Sequence, residues 1–500
     1  MSSIPGLHVM AVVLLYTTAL ITYRLYFHPL AKFPGPKLAA ATGWYEAYFD
    51  LWVLPRGQFM HEIKRMHQLY GPIVRINPNE IHIEDSSWSE TLYSNAANGT
   101  RDKYPPAAHM TGTPDGVFGT VSHAIHRRRR AAISPLFSTV SVARSETRIY
   151  DMVDILLNRI SEQIRRDGWA ELRLNYLAFT TDTLTDFCFT ESMQLLQDEK
   201  KAAGWKSTIQ AIALLTPLIK QFTWVIPLAL ALPVRPLEII IPDIARVVKL
   251  RRDMESQALL AQRKKHPQND NIFESILTNR ALGKHEKHHK RMAQEGFVAI
   301  AAGGETTGRV LTTITFYILE NKEHILPRLR EELVTLMPDP EDRPSVSELK
   351  NLPWLSAIIK ESLRITALVT SRLPLVSPNE SLVYKDWVIP RGTPVSMTLR
   401  SILLDPDVFD QPMQFRPSRW LSNNPDLEHI SRNYLPFGRG SRMCLGMNLA
   451  LAELYITTAS IFRRLQLELH ETYKERDIDI VRDCFIGEVS PESKGVRVKF

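Results

Sequence analysis

The chain has 500 residues, 44% hydrophobic and 23% charged, which excludes a disordered or fibrous protein and allows a large core around a sizeable ligand. A formal charge of +7 is small for this length, and no basic run interleaved with aromatics marks a nucleic-acid groove, so an anionic membrane surface or an acidic protein is the better-matched partner and nucleic acid is not expected. Cys188, Cys444 and Cys484 are too few and too irregular for a disulfide framework or a zinc cluster, and they point to a reducing compartment.

Leu7 to Tyr23 carry no Asp, Glu, Lys or Arg, at the short end of what spans a membrane. Arg24, Lys32 and Lys37 follow, so the positive-inside rule sends the N-terminus to the lumen and keeps the rest cytosolic. A cleaved signal peptide would carry a positive start and a small-residue cleavage site, and neither is clear. Residues 1–26 therefore read as a single-pass anchor. Residues 27–40 hold Pro29, Pro34, Gly35 and Pro36 and read as a stiff, non-helical hinge. A cytosolic body leaves the sequons at Asn98 and Asn379 unglycosylated.

Residues 41–500 read as one large domain, mainly α with small β-sheets. Apolar spacing predicts helices over roughly 124–138, 142–165, 172–190, 247–265, 288–320, 322–336 and 354–366. Strand-like runs occupy 73–84, 381–390 and the C-terminal region. The stretches 103–122 and 205–245 are the most irregular, and such loops tend to carry binding sites. His285, His288 and His289 could share a helix face and bind a metal, but a solvated basic run is the better reading.

The segment "FGRGSRMCLG", Phe437 to Gly446, holds the most chemistry. Gly438, Gly440 and Gly446 permit tight turns and close approach of a planar ligand. Helical spacing begins just after Cys444, so the positive helix end and nearby N–H groups favour its thiolate. Arg442 could bind an anion such as a carboxylate. A thiolate so placed suits haem iron as an axial ligand and favours O–O cleavage.

This segment resembles the haem-binding signature of the cytochrome P-450 monooxygenases, matched at Phe437, Gly440, Arg442, Cys444 and Gly446. The resemblance implies a haem-thiolate fold with haem b, its iron ligated by Cys444. It also implies O2 as co-substrate and electrons from an NADPH-dependent reductase, with cytochrome b5 as a further possible donor. The family's second signature is matched by "AGGETT", Ala302 to Thr307. Paired glycines inside a helix cost about 1 kcal/mol each against alanine. Here they either open room for oxygen through a kink or let another helix pack close. By the resemblance, Glu305 feeds protons and Thr306 hydrogen-bonds oxygen at the iron.

"ESLR" supplies Glu361 and Arg364 at i, i+3, and "PMQFRPSRW" supplies Arg419; the resemblance joins them in a buried structural triad. His126 stands where the family usually has Trp, and Arg130 follows at the matching arginine; both are implied to donate to a haem propionate, as is Arg372. Some of Arg127, Arg128 and Arg129 read as a docking patch for the reductase, with a merely solvated basic face as the alternative. The implied substrate pocket comprises Phe118, Phe297, Ala301, Ala302, Val369, Thr370, Phe485 and Ile486, mostly apolar. Cys188 and Cys484 match no motif, and Cys188 reads as a buried core thiol.

More narrowly, "YFHPLAKFPGPKLAA" and "YGPIVRINPNEIHI" are similar to ascomycete secondary-metabolism members of the trichodiene oxygenase type. That implies a lipophilic, terpenoid substrate and an enzyme in the endoplasmic reticulum membrane facing the cytosol. The alternatives are a polyketide or alkaloid substrate, an O2-independent haem-thiolate isomerase or dehydratase, and a non-catalytic haem protein. Isomerases of this kind tend to lose the acid–threonine pair, which is present here.

Overall fold

The computed structural model describes residues 4–94, 99–189, 192–263 and 271–500; Asn98 and the end of the expected 247–265 helix lie outside them. The expected helices form at His123–Ile133, Glu146–Asp167, Leu172–Cys188, Pro242–Arg263, His289–Glu320, Lys322–Leu336 and Pro353–Thr366. The longest, His289–Glu320, is the central helix. The His288 side chain caps its start by accepting from the Lys290 N–H. Its C-terminal half is buried all round, with Leu311, Ile314, Phe316 and Ile318 in the main core.

The paired glycines belong to helix packing. A Cβ on Gly304 would lie 2.4 Å from Thr181 Oγ1, and one on Gly303 would lie 2.8 Å from the Leu184 side chain. Glycine thus lets the Leu172–Cys188 helix press against the central helix, and Thr180 Oγ1 donates to the Gly304 carbonyl at 2.7 Å. The central helix runs on through both residues, and the packing reading accounts for the close approach.

The stretch 205–245 is helical rather than irregular. Glu199–Gln221, Val225–Ala231 and Val234–Ile240 lead into Pro242–Arg263. Asp198 caps the first by accepting from the Lys200 and Lys201 N–H groups. Its apolar residues face two ways: Ile212 lines an internal cavity, while Leu214 is exposed. A helix apolar on two faces lacks the single-stripe period by which helices are recognised.

The run 73–84 is two strands, Ile73–Arg75 and Ile81–Ile83, paired antiparallel with Ile73 opposite Ile83. They begin a five-stranded sheet continued by Pro394–Ser396, Leu375–Val376 and Asp102–Lys103. The run 381–390 is a hairpin, Leu382–Tyr384 with Trp387–Ile389.

Much of the expected hinge belongs to the body. Leu30 and Phe33 are buried, Phe33 stacks on Trp387 at 4.9 Å, and Lys37–Ala41 is a short helix. Proline rigidity here serves docking onto the sheet. The buried Arg75 donates to the Arg24 carbonyl at 2.8 Å and the Pro78 carbonyl at 2.7 Å, tying the end of the first helix to the sheet. His8–Phe27 is long and apolar enough to cross a membrane, with a mean hydropathy of 1.5 and none of its apolar window buried.

Candidate active site

Between the central helix, the Glu199–Gln221 roof helix and the Phe437–Gly446 loop lies a cavity of about 460 Å³. Cys444 is exposed and lines it; Cys484 also borders it but is buried, and Cys188 is buried away from it. The loop is closed by the Cys444 N–H donating to the Phe437 carbonyl at 2.9 Å. The Met447–Arg464 helix begins three residues after Cys444. Burial pushes the Cys444 thiol up from its ordinary pKa, while the Gly446 N–H and the nearby Arg130 guanidinium pull it down.

Gly438 takes φ of 72°, and a Cβ there or on Gly446 would meet nothing within 4 Å. Both line the cavity beside Cys444, so a flat group has backbone to lie against. Gly440 instead allows a close backbone approach, since a Cβ there would lie 2.6 Å from the Tyr93 carbonyl.

One end of the cavity is cationic, lined by Arg101, Lys103, His126, Arg130 and Arg442. Arg442 donates to the Thr120 and Val121 carbonyls at 2.7 Å each, and Arg130 to the Met443 carbonyl at 2.7 Å. Among the described residues, no carboxylate pairs with Lys103, His126, Arg130 or Arg442. His126 Nδ1, Arg442 Nε and Arg101 Nε are buried without partners. Burial first, then Arg442, Arg130 and Lys103, drive the His126 pKa down to about 2. Burial and Arg442 hold Lys103 well below its usual range. Buried donors without a carboxylate partner, the Arg130 and Arg442 guanidinium groups among them, call for an anionic group.

Thr306 lies on the cavity wall and donates to the Ala302 carbonyl at 2.7 Å. Glu305 also borders the cavity, but its Oε1 receives Arg173 Nη2 at 2.6 Å. The triad residues come together: Glu361 receives Arg364 at 2.8 and 2.9 Å and Arg419 at 3.0 Å. Glu361 also accepts from Trp420 Nε1 at 2.9 Å, and the Trp420 ring packs on Tyr434 at 4.6 Å, just ahead of the cysteine loop. The triad thus stiffens the segment that presents Cys444.

Phe118, Phe297, Ala301, Ala302, Val369, Phe485 and Ile486 line the cavity. Phe118 and Phe485 meet edge to face at 5.5 Å.

Three expected positions require correction. Arg372 lies outside the cavity lining and is held by Glu46 at 2.7 Å and Glu80 at 2.8 Å, because two buried carboxylates claim its guanidinium. Thr370 also lies outside the lining and donates to Asp483 Oδ1 at 2.8 Å, a buried carboxylate that needs donors. Arg129 is buried rather than on a docking surface; it pairs with Glu286 at 2.7 Å and braces the Asp115 carbonyl, while Arg127 and Arg128 are exposed. Among the described residues no group of three His, Cys, Asp or Glu could hold a metal, and His289 instead pairs with Glu255 at 3.1 Å. Sequence reasoning missed Arg101, Lys103 and Glu453. Only the place of the first two, at the edge of an irregular loop, could have flagged them.

The cytochrome P-450 family model matches residues 44–492. The chain belongs to this family. It is 38% identical to a cytochrome P-450 monooxygenase of Sordaria araneosa, covering 97% of this chain and 96% of that protein. It is 40% identical to a tryptophan 6-hydroxylase of Fusarium equiseti (95% and 93%) and 37% identical to a fusicoccadiene C-8 hydroxylase of Phomopsis amygdali (96% and 93%). As a cytochrome P-450, the chain is an oxidoreductase that incorporates oxygen from O2 into a small molecule, using cysteine-ligated haem iron and electrons from a reductase. The open thiol, the glycine-lined floor and the unpaired cations fit that group.

Proposed function

We propose that the chain is a single-pass membrane monooxygenase that hydroxylates a terpenoid intermediate of fungal secondary metabolism. Cys444 would hold the haem iron through its thiolate, with Phe437, Gly438 and Gly446 beside it. His126, Arg130, Arg442 and Lys103 would take the haem propionates. The haem supplies dioxygen activation when bound. The protein excludes water, offers the Thr306 hydroxyl from the cavity wall, and aims one C–H bond.

The observation that carries the substrate class is the cavity wall built by residues 199–263. Ile209, Ile212, Ala213, Thr216, Ile219, Ile226 and Val247 line it, without a charged side chain. A hydrocarbon skeleton can be buried there at roughly 25 cal/mol per Å², whereas a free amino acid would find no ion partner on that wall. The fusicoccadiene hydroxylase among the relatives supports this reading; the tryptophan hydroxylase supports an indole instead.

Residues 1–26 would be the anchor in the endoplasmic reticulum, with 27–40 joining it to a cytosolic body of 41–500. Trp44, Trp52, Trp224, Leu228, Ile239 and Ile240 are exposed around the roof helix, apolar surface suited to a bilayer. Arg127 and Arg128 would face an acidic NADPH-dependent reductase, with cytochrome b5 as a second donor.

The test is turnover with a fungal reductase on diterpene and sesquiterpene hydrocarbons beside tryptophan and N-acetyltryptophan. Oxygenation of a hydrocarbon is the expected result. Hydroxylation of the indoles alone overturns the terpenoid reading.

A further inference from the structure

Arg251 is a buried cation that the haem site does not use and the fold does not balance. It lies on the Pro242–Arg263 helix, one turn after Val247, and is 8% exposed. Its guanidinium carbon stands 4.1 Å from the centre of the Phe297 ring, and Nη2 donates to the Thr111 carbonyl at 2.9 Å. A Cβ on Gly112 would lie 3.2 Å from Nη2 and 3.2 Å from the Ile226 side chain, so glycine lets the 103–122 loop close over the guanidinium. Thr111, Ile226, Val247 and Phe297 all line the cavity, so Arg251 stands directly behind its wall, where the loop, the roof and the central helix meet.

The charge is unanswered. Among the described residues the Thr111 carbonyl is the one hydrogen-bond acceptor of Arg251, no carboxylate pairs with it, and Nε is buried without a partner. The other buried arginines beside this loop are matched: Arg291 pairs with Glu295 at 2.6 Å and Arg129 with Glu286 at 2.7 Å. Burial brings the Arg251 pKa down to about 10, so the group keeps its charge at neutral pH. A methionine would fill the same gap without the cost of burying a charge. A guanidinium kept there without a protein carboxylate fits an acid that arrives with the ligand.

Phe297 and Thr306 both line the cavity from the central helix, nine residues apart. We propose that Arg251 sets substrate specificity by pairing with a carboxylate on the substrate, and that the carbon to be oxygenated lies toward Thr306, about 14 Å along the central helix. The inference rests on the terpenoid reading and narrows it: the skeleton fills the apolar wall, and the carboxylate fixes which end enters first. The long Arg251 side chain turns past Phe297 to reach it, exchanging the Thr111 carbonyl for a side-on, charge-assisted pair. A zwitterionic amino acid is disfavoured, because its ammonium would sit beside the guanidinium.

Equilibrium dialysis tests this without turnover. It measures how tightly the haem-loaded full chain, in detergent, holds abietic acid against its methyl ester, and N-acetyltryptophan against its methyl ester. The terpenoid acid should bind about tenfold or more tighter than its ester. Arg251→Met should bring that ratio close to one and leave the ester affinity unchanged, while Arg251→Lys should keep part of it. No acid preference in either pair overturns the proposal, and so does a preference that survives R251M. If R251M does not load haem, R251K carries the test, since a lysine cannot pair side-on with a carboxylate: an undiminished ratio overturns the role of Arg251.

The indole pair keeps the two readings apart. Acid preference confined to N-acetyltryptophan leaves Arg251 in its role and overturns the terpenoid skeleton. In turnover with the reductase, oxygen should enter the bound acid at the end remote from its carboxyl, and R251M should spread it over several positions. Oxygen placed next to the carboxyl by the wild type overturns the proposed orientation.

Discussion

Arg173 Nη2 donates to Glu305 Oε1 at 2.6 Å, and the same nitrogen reaches Glu488 at 3.1 Å. Arg309 joins Glu488 at 3.3 Å, so two guanidinium groups and two carboxylates form one buried, balanced cluster. It clamps the central helix to the Leu172–Cys188 helix and to the hairpin of Arg482–Cys484 and Ile486–Glu488. Arg173→Met leaves two buried carboxylates with one partner and should destabilise the holoenzyme by about 3–5 kcal/mol in denaturant unfolding.

The cationic end of the cavity predicts a division of labour. Lys103→Met and Arg442→Gln should hasten haem loss to a haem-scavenging globin, because each removes a buried donor that no protein carboxylate engages. Arg372→Met should leave haem transfer nearly unchanged and lower folding stability instead, since Glu46 and Glu80 lose their shared partner. Equal haem loss from all three variants would return Arg372 to the propionate set.

The Glu46 cluster should be acid-labile. Burial alone would raise its pKa, but Arg372 and Lys220 more than offset that and bring it down to about 2. A carboxylate depressed on folding stabilises the protein above its unfolded pKa near 4.5, and that contribution, on the order of 3 kcal/mol, disappears as pH falls from there toward about 2. Glu46→Gln should therefore be the less stable protein at pH 7, with the difference shrinking through that window in acid-unfolding curves.

Gly304→Ala should lower stability by about 1–3 kcal/mol, because its Cβ has no room against Thr181. Gly283→Ala, at a position with open space around it, should be near neutral. The melting temperatures of the two variants check this.

Much of this architecture was legible from residues alone where one local pattern dictated one outcome. The central helix shows a long apolar period, and the glycines and cysteine of Phe437–Gly446 announce a loop before a helix. Glu361, Arg364 and Arg419 could be joined because their two segments resemble those of the family, whose members pair them. Legibility stopped where partners are distant in the chain. Nothing local to Arg372 reveals that Glu46 and Glu80 will reach it from more than 290 positions away, and nothing local to Thr370 reveals Asp483. The roof helices escape recognition because one apolar face serves the cavity and another the outside. Glu453 has the sequence surroundings of an ordinary helix residue, and only packing exposes its orphaned oxygen.

The most direct test of the central claim is isotopic. The chain and Cys444→Ala are each expressed with a fungal reductase in a host producing terpene hydrocarbons, under ¹⁸O2. A product carrying one ¹⁸O in the wild-type strain and absent from the variant is the predicted result. A Cys444-dependent product without ¹⁸O would contradict oxygen incorporation, and a labelled product that persists in the variant would contradict the role of Cys444.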